Sequence, residues 1–68
     1  MNHKDYIGRT IGDLLKDTPS FAVNYYLVNI DGKYKHLTDL INDEQALQKT
    51  IIEISDLCSD YTYWVETR

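Results

Sequence analysis

The sequence predicts a small α+β domain with elements in the order α-β-β-α-β, a three-stranded, mainly antiparallel sheet and two helices packed on it. Three observations carry that prediction. The stretch 21–37, FAVNYYLVNIDGKYKHL, joins a run rich in aromatic and β-branched residues to a shorter strand-compatible run through Asp31-Gly32. Asp-Gly tolerates the positive φ that both central residues of a two-residue type I′ hairpin turn require. Apolar residues recur at helical spacing on both sides of this hairpin. The last stretch, 61–67, alternates and is dense in aromatic rings, which suits a third strand.

From Asp5 to Asp17, Ile7, Ile11, Leu14 and Leu15 stand at i, i+4, i+7 and i+8, the stripe of a helix with one buried face. Asn2 is its expected cap with Asp5 three residues on, and Thr18-Pro19 stops it, because the residue before proline is pushed out of the α region. Gly8 and Gly12 lie one turn apart in that helix, each costing about 1 kcal/mol relative to alanine. They form a smooth patch for close approach, ordinarily to the sheet of the same domain and alternatively to a partner.

The first strand is expected to run from Phe21 to Ile30 at the centre of the sheet. Phe21, Val23, Tyr25 and Leu27 point one way and Ala22, Tyr26, Val28 and Ile30 the other, so both faces are apolar. A two-residue loop sets the cross-strand pairs Ile30–Lys33, Asn29–Tyr34, Val28–Lys35, Leu27–His36, Tyr26–Leu37 and Tyr25–Thr38. Lys33 and Lys35 then mark the more solvated face, while Tyr34 and His36 join the Phe21–Leu27 face. Asn42 is the preferred cap of the second helix over an earlier start at Thr38, with Gln45 completing an Asn-x-x-Gln box and Asp43 and Glu44 set against the helix dipole. That helix is expected to run from Asp43 to Leu57 or Cys58, with Leu47, Ile51, Ile54 and Cys58 facing the core. In the terminal strand Tyr61, Tyr63 and Val65 share one face and Thr62, Trp64 and Glu66 the other. It pairs on the free side of the central strand and forms an edge.

A chain of 68 residues makes one domain, near the limit at which a single core supplies roughly 3–5 kcal/mol. The single cysteine, Cys58, excludes an intramolecular disulfide, and there is no apolar run long enough to span a bilayer. The N-terminal MNHKDYIGR lacks the apolar core of a secretory signal, so a cytoplasmic protein is expected. The net charge of −4 is uneven. Residues 1–35 carry Lys4, Arg9, Lys16, Lys33 and Lys35 against Asp5, Asp13, Asp17 and Asp31. Residues 36–68 carry only Lys49 and Arg68 against Asp39, Asp43, Glu44, Glu53, Asp56, Asp60 and Glu66. The acidic half disfavours direct binding to nucleic acid or an anionic membrane and attracts a partner with a basic surface.

The inventory for catalysis is thin: His3 near the start, His36 opposite Leu27, and Cys58 on an apolar stripe where a thiol acts as a small hydrophobe. No metal-ligand spacing and no glycine-rich phosphate loop is present, so no catalytic, cofactor or metal residue is assigned. Two features stand out instead. Glu53, Asp56 and Asp60 fall at i, i+3 and i+7 of the expected second helix, with Asp43 and Glu44 near its start. Such neighbours lie about 5–6 Å apart, the order of phosphate spacing along a nucleic-acid strand, although a row of this kind is ordinarily a solvated helix face. Six Tyr, one Trp and one Phe also exceed what so small a core encloses, and Tyr61, Tyr63 and Trp64 sit on the expected edge strand, where pairing with another chain competes with packing under the helices.

The size, acidity and content of Asn, Asp, Lys, Ile and Tyr resemble those of small proteins encoded by AT-rich bacterial or phage genomes. Some of these inhibit host enzymes by occupying a nucleic-acid site. The expected function is therefore a non-enzymatic interaction module, an acidic inhibitor or regulator that engages a nucleic-acid-processing or defence protein. Asp43, Glu44, Glu53, Asp56, Asp60, Tyr61, Tyr63 and Trp64 are its expected contact residues, and a homodimer is a further expectation. The alternative is an assembly protein that self-associates through edge strands.

Overall fold

The structure, a computed structural model, describes residues 3–55 and 62–68. It is an α+β domain with four strands: β1 (Tyr26–Ile30), β2 (Lys33–His36), β3 (Ile51–Ile54) and β4 (Tyr63–Thr67), in the sheet order β2-β1-β4-β3. β1 pairs antiparallel with β2 and parallel with β4, and β3 pairs antiparallel with β4. The helical layer is α1 (Ile11–Asp17), α2 (Glu44–Leu47) and 3-10 turns at His3–Tyr6, Ser20–Tyr25 and Leu37–Leu40.

The hairpin forms as its turn chemistry dictates. Asp31 and Gly32 take φ of 53° and 91°, and the register is Ile30↔Lys33, Asn29↔Tyr34, Val28↔Lys35 and Leu27↔His36. Beyond His36 the ladder stops, because Leu37–Leu40 turns away to bury Leu37 and Leu40. The strand expected from Phe21 is shortened to Tyr26–Ile30. Among the described residues no strand lies beside those ahead of Tyr26, which close local turns instead, starting with the Ala22 N–H donating to the Pro19 carbonyl at 2.8 Å. Phe21 consequently lies 79% exposed.

The first helix is likewise shorter than its apolar stripe. Gly8 adopts φ +92°, which no continuous helix allows, and its N–H donates to the Ile51 carbonyl at 2.7 Å. The chain restarts at Thr10, whose Oγ1 accepts the Asp13 N–H at 3.2 Å, and ends at Thr18 before Pro19. The expected cap Asn2 lies outside the described residues.

The second helix is the largest correction. It is a single turn, capped by Asp43 rather than Asn42, with Asp43 Oδ1 accepting the Ala46 N–H at 3.1 Å. Ile51–Ile54 is a strand, so the four-strand sheet replaces the three-strand expectation, and the expected helix end at Leu57 or Cys58 lies outside the described residues. β-Branched Thr50, Ile51, Ile52 and Ile54 favour this outcome. A bulge makes it compatible with the hydrophobic spacing. From Ile51 to Ile54 the chain advances three residues while its partner advances only from Thr67 to Val65. The extra residue keeps Ile51 and Ile54 on the same face, both at 0% exposure, each contributing about 1.5–3 kcal/mol of burial.

β4 is consequently an interior strand and not the expected edge. α1, α2 and the turns at His3–Tyr6 and Leu37–Leu40 cover one face of the sheet, where Tyr26, Val28, Val65, Ile51 and Ile54 meet Tyr6, Ile11, Leu14, Leu37, Leu40 and Ala46 in one core. Lys33 and Lys35, paired with Ile30 and Val28, belong to this covered side at its exposed margin rather than to the open face. Gly12 lets α1 approach α2: a Cβ there would stand 3.2 Å from the Leu47 carbonyl oxygen. The two glycines thus share no helix face, and Gly12 packs on a helix rather than on the sheet. Gly12→Ala, which would add about 1 kcal/mol of helix propensity at an open position, is expected to give no net gain, and Gly12→Val to cost about 1–3 kcal/mol, both read by urea unfolding.

Tyr6 ties the N-terminal turn to the end of α1 by donating its hydroxyl to Asp17 Oδ2 at 2.5 Å, with the Arg9 guanidinium 4.6 Å over its ring. The bond to Asp17, then burial and the Asp17 charge, hold the Tyr6 hydroxyl above its ordinary pKa of 10.0 against an opposing pull from Arg9. A folded value above the unfolded one means that this contribution is complete below pH 10.0 and is lost as pH rises through the folded value. Tyr6→Phe is expected to be less stable than wild type at neutral pH, with the gap closing above pH 10.0 in denaturant titrations.

Candidate interaction face

The segments that supply the core leave the opposite face of the sheet uncovered. Strand alternation puts Leu27 and Asn29 of β1, Tyr34 and His36 of β2, and Trp64 and Glu66 of β4 on it, and the β3 bulge adds Ile52 and Glu53. Tyr34, Ile52 and Trp64 remain 46%, 46% and 43% exposed.

Register arranges these side chains in two transverse rows. Tyr34, Asn29, Glu66 and Glu53 stand opposite one another across all four strands, and His36, Leu27 and Trp64 form the row beside them. Within the first row the Glu66 carboxylate is fixed from two sides. Asn29 Nδ2 donates to Oε2 at 2.8 Å, and the Tyr34 hydroxyl donates to Oε1. Asn29 is itself held, since its Oδ1 accepts the Gly32 N–H at 2.9 Å and its carbonyl accepts the Thr67 hydroxyl at 2.5 Å. The Tyr34 ring leans toward Trp64, with centroids 5.5 Å apart and planes at 52°. Trp64 is anchored through its backbone, its N–H donating to Ser55 Oγ and its carbonyl accepting the Ser55 N–H, both at 2.8 Å. The bond to Glu66, then desolvation and the Glu66 charge, raise the Tyr34 pKa above its ordinary value, keeping the hydroxyl a donor.

Of the expected contact residues, Glu53 and Trp64 meet on this face. Asp43 and Glu44 lie at the start of α2, in the layer on the other side of the sheet. Tyr63 points inward, half-buried, and stacks on Tyr26 at 5.2 Å with His3 4.2 Å from its ring. Asp56, Asp60 and Tyr61 lie outside the described residues, and with Glu53 in a strand the expected acidic helix row does not form. Tyr34, Asn29 and Glu66 were missed. The shared face of Tyr34 with Leu27 and of Glu66 with Trp64 follows from strand alternation, but only the parallel β1–β4 pairing joins those two sets.

A separate open groove of about 470 Å³ lies beside the hairpin turn, bordered by Ile30, Asp31, Asp43, Lys49 and Arg68. Its charges are mixed, and Lys49 already pairs with Asp31 at 3.1 Å. Among the described residues no three His, Cys, Asp or Glu side chains converge as a metal site would need, and no helix is long and apolar enough to cross a membrane.

Glu53 and Glu66 are cross-strand partners of like charge, an arrangement that costs stability. Glu53→Gln, which keeps an oxygen for the Ile54 N–H that Glu53 accepts at 3.0 Å, is expected to stabilise the fold by about 0.2–0.5 kcal/mol at low salt. Urea unfolding at about 1 M salt should erase that gain.

Comparison of the chain with protein-family models, with curated proteins and with solved structures finds no match.

Proposed function

We propose that this chain is a non-enzymatic protein-interaction module, an acidic inhibitor or regulator of bacterial or phage type, whose open sheet face receives a partner with a basic surface. A nucleic-acid-processing or defence protein is the class of partner that best fits an acidic face. The observation that carries this reading is the face of the parallel β1–β4 pair that the core-forming segments leave uncovered, where Leu27, Trp64 and Tyr34 lie beside two carboxylates. Parallel strand pairs are ordinarily covered on both faces, so an aromatic, acidic side left to water is a surface suited to a second molecule. Trp and Tyr are also residues that anchor interfaces.

The self-association reading has less support. β2 is the strand with a free outer edge, but two copies joined antiparallel through it, with their covered faces on the same side, would set lysine against lysine at positions 33 and 35.

The test is affinity capture with the full chain over a rising salt series. A partner held near 0.01 M salt and released toward about 1 M is expected, and Trp64→Ala should lose it while keeping the fold. A complex indifferent to both salt and Trp64→Ala, or a chain that only assembles with itself by light scattering, would sink the proposal.

A further inference from the structure

The open face carries a more specific instruction than acidity, and reading it rests on the interaction-module proposal above. Glu66 is a carboxylate already oriented by two neutral donors, Asn29 and Tyr34, each engaging a different oxygen. A carboxylate has about four acceptor sites, so each oxygen retains one. No Lys or Arg among the described residues pairs with Glu66 or with Glu53 opposite it; the described ion pairs are Arg9–Asp13 and Lys49–Asp31, neither on this face. The face therefore presents two uncompensated negative groups. Beside Glu66, two residues back along the same strand face, stands Trp64, and the Tyr34 ring spans the gap between them.

We propose that the niche framed by Tyr34, Trp64 and Glu66 takes one arginine side chain of the partner, its guanidinium paired with Glu66 and laid against the rings. The chemistry selects arginine over lysine. A planar guanidinium stacks on an aromatic face while directing N–H groups sideways to a carboxylate, whereas an ammonium is a compact, strongly hydrated point charge that does not stack. Glu53 supplies a second negative group at the far end of the row. The two rings touch at a tilt and stay 46% and 43% exposed, so a flat group can lie on the outer side of either ring while reaching Glu66.

The probes are Ac-Gly-Arg-Gly-amide, its citrulline analogue, which is nearly the same shape without the charge, and Ac-Gly-Lys-Gly-amide. Trp64 is the single tryptophan of the chain, so its fluorescence and indole NMR signal report on this niche alone. The arginine peptide is expected to bind weakly, with Kd on the order of 1 mM, shifting Trp64, Asn29 and Glu66 resonances. The lysine peptide should bind several-fold more weakly, and the citrulline peptide should cause no saturable shift. Glu66→Gln should weaken arginine binding about tenfold, whereas Glu44→Gln, a charge removed from the opposite layer, should leave it unchanged; the NMR spectra of both variants report whether the fold is intact. Tyr34→Phe, which keeps the ring and drops the hydroxyl, should give an intermediate loss. Equal binding of the arginine, lysine and citrulline peptides, or equal losses from Glu66→Gln and Glu44→Gln, would overturn the proposal. Salt-sensitive capture of a partner without arginine selectivity would remove the niche and leave the interaction module standing. Arginine selectivity with no partner captured would do the reverse.

Discussion

The parallel pairing of β1 with β4 is the contact on which the rest of this molecule depends. Its register sets Tyr26 beside Tyr63 and Val28 beside Val65 on the core side, and Leu27 beside Trp64 and Asn29 beside Glu66 on the other. A slip of one residue would turn Val65 out to water and Trp64 into the core, because side chains alternate along a strand. Parallel neighbours cannot be joined by a tight turn. The chain between β2 and β4 must therefore travel the length of the sheet, and in doing so it lays down the Leu37–Leu40 turn, α2 and β3.

That route explains why the core-forming segments cover only one face. α1 and α2 are short, seven and four residues, and both are committed to sealing Ile11, Leu14, Leu37, Leu40 and Ala46 over the inner side. No described helix remains to shield the outer side. The two sheet edges are better defended. β3 exchanges backbone hydrogen bonds with Gly8 and Arg9 at 2.7 Å on its outer flank, and the Glu53 side chain takes the Ile54 N–H. β2 carries Lys33 and Lys35. Edges blunted in this way disfavour strand addition by another chain.

The candidate site was partly written in the residues. Strand alternation alone groups Trp64 with Glu66, and the hairpin alone opposes Asn29 to Tyr34. The second half of the chain misled for a physical reason. Ile51 and Ile54, with Leu47 before them, are spaced as on a helix, and a β-bulge produces the same inward spacing in a strand by inserting one residue. Periodicity cannot separate these two cases. The run of β-branched residues from Thr50 to Ile54 was the local signal that favoured the strand.

The hairpin, its turn and four of the six expected cross-strand pairs were legible in the residues, because Asp31-Gly32 satisfies a backbone requirement that involves no distant residue. Also legible were the stop at Thr18-Pro19 and which face of the last strand is apolar, again through local sterics and alternation. The position of β4 inside the sheet, the start of β1 at Tyr26 and the meeting of Tyr34 with Glu66 came from the assembled sheet and from no local signal. Each of these depends on which strand finds which neighbour, and backbone donors and acceptors can be satisfied by any strand of suitable length. That choice is settled by burial of the whole core, a property no single segment carries.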